Sequence, residues 1–185
     1  MISVPGYEMG GILFSAEQIH ERVRELGQQI SEDYRGQSIT VVGILKGSFV
    51  FMADLIREID ADVTVDFMEV SSYGNATKSS GNVKIKKDLD SSPAGRNILI
   101  VEDIIDSGNT LKYLRDTYLA GKEPASVRIV TLLDKPSRRT AAVQVDYTGF
   151  QIEDLFVIGY GLDYAQQFRQ LPYIAYLEES EQDVL

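Results

Sequence analysis

An α/β fold, with a mostly parallel twisted sheet flanked by helices, is what the 185-residue chain predicts, and three observations carry it. Ile39–Leu45 and Ile98–Val101 are nearly unbroken apolar runs rich in β-branched residues, as strands buried on both faces must be. Each runs straight into a short turn and then into helical spacing, so strand, turn and helix recur as a unit. The length suits one domain burying roughly 70% of the surface its unfolded chain exposes, and 1–185 is read as a single domain.

In chain order, Ser15 with Gln18 three residues on is a capping box, and Ile19, Val23, Leu26 and Ile30 then keep helical spacing until Gly36. After the strand Ile39–Leu45 and the turn Lys46-Gly47-Ser48, a second helix is expected to bury Phe49, Met52, Ala53 and Ile56. Val63, Val65 and Phe67 alternate through a further strand. About 71–82 follows a glycine-, serine- and asparagine-rich tract without apolar periodicity, expected to be a mobile loop. Val83 to Lys86 alternates as the returning, half-exposed strand of a hairpin. Ser91 to Gly95 is a turn. The central strand then ends at Glu102 and Asp103, and a helix is expected on Leu111, Leu114 and Tyr118. Val127–Leu133 is a further strand of parallel type, leading into Asp134-Lys135-Pro136-Ser137-Arg138-Arg139. Val143 with Val145, and Leu155 to Gly159, suggest short strands. An apolar segment after Pro172 precedes an acidic tail read as solvated.

Composition narrows the function. A 44% apolar and 25% charged content is that of an ordinary globular protein, and no run approaches the ~20 apolar residues of a membrane span. The opening residues lack the pattern of a secretory signal, leaving the cytoplasm as the expected compartment. The absence of cysteine removes disulfides, thiolate metal sites and a cysteine nucleophile together. A net charge of −10 argues against nucleic acid as a partner. The single histidine, His20, falls on a polar helix face and is read as solvated.

Chemistry concentrates between Ile98 and Thr110. The carboxyl ends of strands in an open α/β sheet face the ligand crevice, so Glu102 and Asp103 are expected there. Ser107-Gly108-Asn109-Thr110 then turns the chain into a helix with small side chains, hydroxyls and a backbone free to approach closely. Unpaired N–H groups and the helix dipole make such a turn a phosphate site. Phosphate for the turn, with hydroxyls or a metal-bound oxygen for the acid pair, describes a ribose 5-phosphate. Lys46 beside Gly47 lies at the crevice end of another strand and offers a second phosphate contact.

From Val101 to Thr110 the sequence resembles the signature of the type I phosphoribosyltransferases, two acids in a hydrophobic strand followed by Asp-Ser/Thr-Gly-x-Thr. Further segments between Gly43 and Arg169 resemble its 6-oxopurine branch, the hypoxanthine-guanine phosphoribosyltransferases. The resemblance implies that branch's fold, with a small hood from about 1–14 and 150–185. It also implies the reaction: a free hypoxanthine or guanine attacks C1 of 5-phosphoribosyl-1-pyrophosphate, giving a nucleoside monophosphate and pyrophosphate. By the same resemblance Leu45-Lys46-Gly47 and Arg169 bind pyrophosphate, often with a non-proline cis peptide before the lysine. Glu102, Asp103, Ser107, Gly108, Asn109 and Thr110 bind the phosphoribosyl group, and Ser72 and Tyr73 close over the reacting centre. Lys135 recognises the purine's exocyclic oxygen, Phe156 stacks on the base, and Val157 meets the purine edge. Asp163 completes the base site, and with Glu102 and Asp103 it is expected to hold Mg2+. Asp106 exchanges a proton with the ring. A homodimer or homotetramer is implied, with Lys46 near a subunit contact. Asn109 stands where some relatives have lysine.

Two alternatives share the central motif. Regulators of this fold bind phosphoribosyl pyrophosphate and contact nucleic acid, which the acidic charge and the retained Asp106, Lys135 and Phe156-Val157 disfavour. Phosphoribosyltransferases of other base specificity are the second: nothing in the sequence ranks xanthine against hypoxanthine and guanine, whereas orotate, uracil or adenine enzymes do not explain Lys135 together with Phe156 to Gly159.

Overall fold

The computed structural model describes residues 3–72 and 83–180. Ten strands form two sheets: β1 Ser3–Val4, β2 Tyr7–Phe14, β3 Ser38–Leu45, β4 Asp62–Ser72, β5 Val83–Lys87, β6 Asn97–Ile105, β7 Ser126–Asp134, β8 Tyr147–Gln151, β9 Phe156–Ile158 and β10 Ile174–Glu179. The larger sheet has the order β5-β4-β3-β6-β7-β8 and is parallel except for the edge strand β5. Most of the expected loop at 71–82, Tyr73 included, lies outside the described residues, as does the tail beyond residue 180.

Both faces of the larger sheet are covered. Ile98, Leu99, Ile100 and Val101 of β6 are fully buried. Leu99 and Val101 pack with Ile19, Val23, Leu26, Phe51 and Leu55 on one face, while Ile98 and Ile100 pack with Leu111, Leu114 and Leu119 on the other. The period of two along the strand thus sends alternate residues to helices on opposite sides.

Helix α1, Ala16–Asp33, begins at the expected capping box. The Gln18 N–H donates to Ser15 Oγ at 3.3 Å, and the Ser15 N–H to Gln18 Oε1 at 2.9 Å. Ser15→Ala removes one acceptor at the helix start and is expected to cost about 1 kcal/mol, lowering the thermal midpoint by roughly 2–4 °C in calorimetry.

Helix α2, Phe49–Arg57, is rotated from its expected face. It buries Phe51, Met52 and Leu55, whereas Phe49 is 44% exposed and Ala53 is exposed. Fully buried Ser48 explains the phase, because its hydroxyl donates to the Ile44 carbonyl at 2.7 Å and fixes where the helix leaves the strand. Helix α3, Asn109–Tyr113, continues into a π-helical turn at Leu114–Leu119. A π turn aligns residues five apart rather than four. Leu119 is therefore buried under the sheet with Leu111 and Leu114, and the expected Tyr118 is not.

Two strand boundaries also differ from expectation. No strand forms at Val143 and Val145; the edge strand is Tyr147–Gln151, paired with β7. The central strand does not end at the acid pair. Pairing with β3 stops at Gly43–Val101, two residues before β3 ends, but pairing with β7 continues to Ile105–Asp134. Glu102 and Asp103 therefore lie on a strand still held on one edge and open on the other.

The second sheet, ordered β1-β2-β10-β9 and antiparallel, draws its strands from both ends of the chain. The Phe14 and Phe150 rings, stacked at 4.0 Å, join it to the larger sheet. No helix among the described residues is long and apolar enough to cross a membrane.

Candidate active site

The carboxyl ends of β3, β6 and β7 and the start of β9 converge on the same end of the larger sheet. The turn after β6 is built as its sequence suggests. Gly108 has φ +79°, which suits a residue without Cβ, and helix α3 starts directly after it. A cavity of about 250 Å³ opens here, lined by Glu102, Ile104, Ile105, Asp106, Ser107, Gly108, Thr110 and Leu111 together with Ile44 and Val70. Asp106 is exposed. The Asn109 N–H donates to Ser107 Oγ at 3.4 Å and its side-chain amide to Thr140 Oγ1 at 3.3 Å, so this side chain is turned toward the segment after β7.

Glu102 and Asp103 are half-buried, and each accepts from a neighbouring main-chain N–H: Asp103 N–H to Glu102 Oε1 at 3.2 Å, and Ile104 N–H to Asp103 Oδ1 at 2.7 Å. Burial, reinforced by the adjacent Asp103 charge, pushes the Glu102 carboxyl well above its ordinary value. Burial also raises Asp103, against the opposing pull of hydrogen bonds from Glu102 and the main chain and, less, of Arg169. A raised folded-state value means that the protonated group favours the fold below the unfolded value of about 4.3, and that this contribution is lost as pH climbs through the folded value. Glu102→Gln is neutral at every pH. Without divalent cations it is expected to raise the thermal midpoint at pH 7 by roughly 2–4 °C for each kcal/mol recovered, and to change little at pH 4, as calorimetry at the two pH values would read.

Lys46 and Gly47 meet this acid pair from β3. The Leu45–Lys46 peptide is cis. A Cβ on Gly47 would fall 1.6 Å from Asp103 Oδ2, and one on Gly161, at φ +99°, would fall 2.2 Å from the Gly47 carbonyl oxygen. The Asp103 carboxylate thus lies against the Gly47 backbone, and that backbone against Gly161. Arg169 completes the corner, donating to the Gly161 carbonyl at 2.7 Å and pairing with Asp163 at 2.8 Å. Gln166 Oε1 accepts from both Lys46 Nζ and Arg169 Nη2, each at 3.2 Å, and holds two cations together.

Lys135 is only 8% exposed, and its N–H donates to the Ile105 carbonyl at 3.0 Å, which sets it beside the turn. Its ammonium lies 3.5 Å from Asp154, two residues before Phe156. Phe156 is 46% exposed and packs with Tyr7 and Tyr164 at centroid distances of 6.0 and 5.7 Å, while the adjacent Val157 is buried. Ser72 ends β4.

Among the described residues no three acidic or histidine side chains gather as a metal cage. Asp163 is engaged by Arg169 and by the Gln166 N–H at 2.7 Å. The adjacent, charge-strained oxygens of Glu102 and Asp103 suit Mg2+, which takes one or two carboxylates and fills its remaining positions with water and substrate phosphates.

Sequence reasoning did not single out Arg139, Thr140, Asp154 or Gln166. Arg139 stood in the basic run after β7, but nothing local gave it a partner.

Comparison with known proteins places the chain among relatives. Residues 13–165 match the phosphoribosyl transferase domain. The chain is 52% identical over 172 residues to the hypoxanthine-guanine phosphoribosyltransferase of Bacillus subtilis, covering 93% of this chain and 95% of that protein. It is 52% identical over 167 residues to the bifunctional protein TilS/HprT of Listeria innocua, covering 90% of this chain; there it spans about a quarter of the relative's length, 26%. A crystal structure of a hypoxanthine phosphoribosyltransferase from Staphylococcus aureus superposes with a TM-score of 0.88 at 48% identity, covering 92% of each chain.

Proposed function

The chain belongs to the phosphoribosyltransferase family, in its hypoxanthine-guanine branch, and from that premise we propose that it salvages purines, transferring phosphoribosyl from 5-phosphoribosyl-1-pyrophosphate to N9 of hypoxanthine or guanine. One observation carries the assignment of roles. The Lys135 N–H is bonded to the Ile105 carbonyl, so the lysine suited to a purine oxygen stands next to the turn suited to a sugar phosphate.

In this reading the main-chain amides after Asp106, with Ser107 and Thr110, bind the 5-phosphate. Glu102 and Asp103 orient the ribose hydroxyls. Lys135 donates to the exocyclic oxygen, Phe156 covers the ring and Val157 meets its edge with main-chain groups. The N9–C1 bond forms as the C1–oxygen bond to pyrophosphate breaks, through an oxocarbenium-like state. Asp106 takes the proton that the purine ring gives up. Negative charge grows on the departing pyrophosphate, where Lys46, the Gly47 backbone and Arg169 stabilise it. Mg2+ bound through Glu102 and Asp103, with Asp163 nearby, would neutralise part of that charge. A homodimer or homotetramer in the cytoplasm belongs to the same reading.

Pyrophosphate release with each nucleobase in the presence of magnesium tests it. Release is expected with hypoxanthine or guanine and not with uracil, orotate or adenine. Silence with every 6-oxopurine overturns the proposal.

A further inference from the structure

We propose that Arg139 is a positioning residue: it and the segment 135–141 hold the phosphate turn from behind and aim its amides at the substrate. The inference rests on the functional reading above. Three successive carbonyls of the turn are bound by this one segment. Ile105 O accepts from the Lys135 N–H at 3.0 Å, and Asp106 O accepts from Arg139 Nε at 3.2 Å. Ser107 O accepts from the Thr140 and Ala141 N–H groups, both at 3.0 Å.

In a trans peptide the N–H of the following residue points opposite to the carbonyl. Fixing these three carbonyls therefore turns the N–H groups of Asp106, Ser107 and Gly108 away from residues 135–141. None of the three has a backbone acceptor among the described residues, and all three residues line the 250 Å³ cavity. The turn is held open for an anion by bonds made on its reverse side.

Arg139 holds the turn through its side chain alone, and that side chain has a second anchor. Its Nη2 pairs with Asp134, which is 8% exposed at the end of β7, and its Cδ would lie 2.9 Å from a Cβ on Gly108. The planar guanidinium spans a carboxylate and a carbonyl in one rigid fork, which a lysine ammonium cannot reproduce. Its Nε and Nη2 are engaged within the protein, at the Asp106 carbonyl and at Asp134, and through these bonds it acts on the turn. Lys135 belongs to the same segment but is held by its own N–H to Ile105 O, independently of the Arg139 side chain.

The test is steady-state kinetics of the full chain with phosphoribosyl pyrophosphate, hypoxanthine and magnesium, comparing wild type, Arg139→Gln and Arg139→Lys, with thermal midpoints recorded. Both variants are expected to raise KM for phosphoribosyl pyrophosphate by roughly tenfold or more, since small misplacements of binding groups cost 10- to 100-fold. KM for hypoxanthine is expected to change far less. An active wild type with variants whose phosphoribosyl pyrophosphate KM is unchanged, whatever their kcat or midpoint, overturns the inference alone. Restoration by lysine also overturns it, because charge without the fork would then suffice. If the glutamine variant does not fold, the lysine variant decides on the same terms. A wild type that releases no pyrophosphate with any 6-oxopurine removes the functional reading itself.

Discussion

Asp106→Asn is expected to lower kcat by about 10²- to 10⁴-fold, the usual contribution of a positioned general acid or base, while leaving the affinity for phosphoribosyl pyrophosphate within a few-fold. The division follows from where the two tasks sit. In the proposed reading the phosphate is bound by main-chain N–H groups and the Ser107 and Thr110 side chains around the cavity, and asparagine preserves all of them. The Asp106 carbonyl that Arg139 holds is likewise untouched. Only a carboxylate able to accept a proton is lost. Asp106 is exposed at the edge of the cavity, so the isosteric change has no burial penalty to confuse the reading. Pyrophosphate release gives kcat, and calorimetric titration with phosphoribosyl pyrophosphate gives the affinity. Unchanged turnover would remove Asp106 from proton transfer.

Gly161→Ala is expected to destabilise the fold by about 3 kcal/mol or more, because it combines two named causes of large losses, a disallowed backbone angle and a buried collision. At φ +99° a residue with Cβ is strained in any surroundings, and here that Cβ would lie 2.2 Å from the Gly47 carbonyl oxygen. The obstacle is backbone, so no rotamer relieves it. Separating the two strands of chain would lift Gly47 from Asp103 and detach Arg169, whose Nη1 is bonded to the Gly161 carbonyl. Thermal denaturation should show a midpoint roughly 6–12 °C lower, at 2–4 °C per kcal/mol for a chain of this size. The residual folded protein should have a raised KM for phosphoribosyl pyrophosphate. A midpoint within 2 °C of wild type, on the same scale, would mean that the stacked corner is not rigid.

What the sequence discloses is what depends on neighbours along the chain. The succession of strand, turn and helix around Glu102 to Thr110, the capping box at Ser15 and the parallel runs of β3, β6 and β7 are all local patterns, and each is present, although β6 runs on to Ile105, past the acid pair. The phase of α2 escaped because it is decided by Ser48 bonding back to Ile44 rather than by apolar spacing. The burial of Leu119 instead of Tyr118 escaped because a π turn changes the period itself. Strand β2 carries Gly10-Gly11, which breaks its alternation; the pair is accommodated because the Tyr176 ring from β10 lies over it. Arg139 with Asp106, and Gln166 with Lys46, join segments distant in sequence, and no spacing rule connects them.

The strand connectivity also sets an order of assembly. All six strands of the larger sheet, five of them parallel, are available once residue 151 is made, whereas β2, formed from residues 7–14, pairs along most of its length with residues 174–179. During synthesis the earliest long strand therefore waits for nearly the last, with an unpaired edge on show throughout. Such long-range closure is the slow step in proteins of this kind. A nascent chain halted before residue 174 would own Asp106 and its turn, yet β2 would still lack its β10 partner.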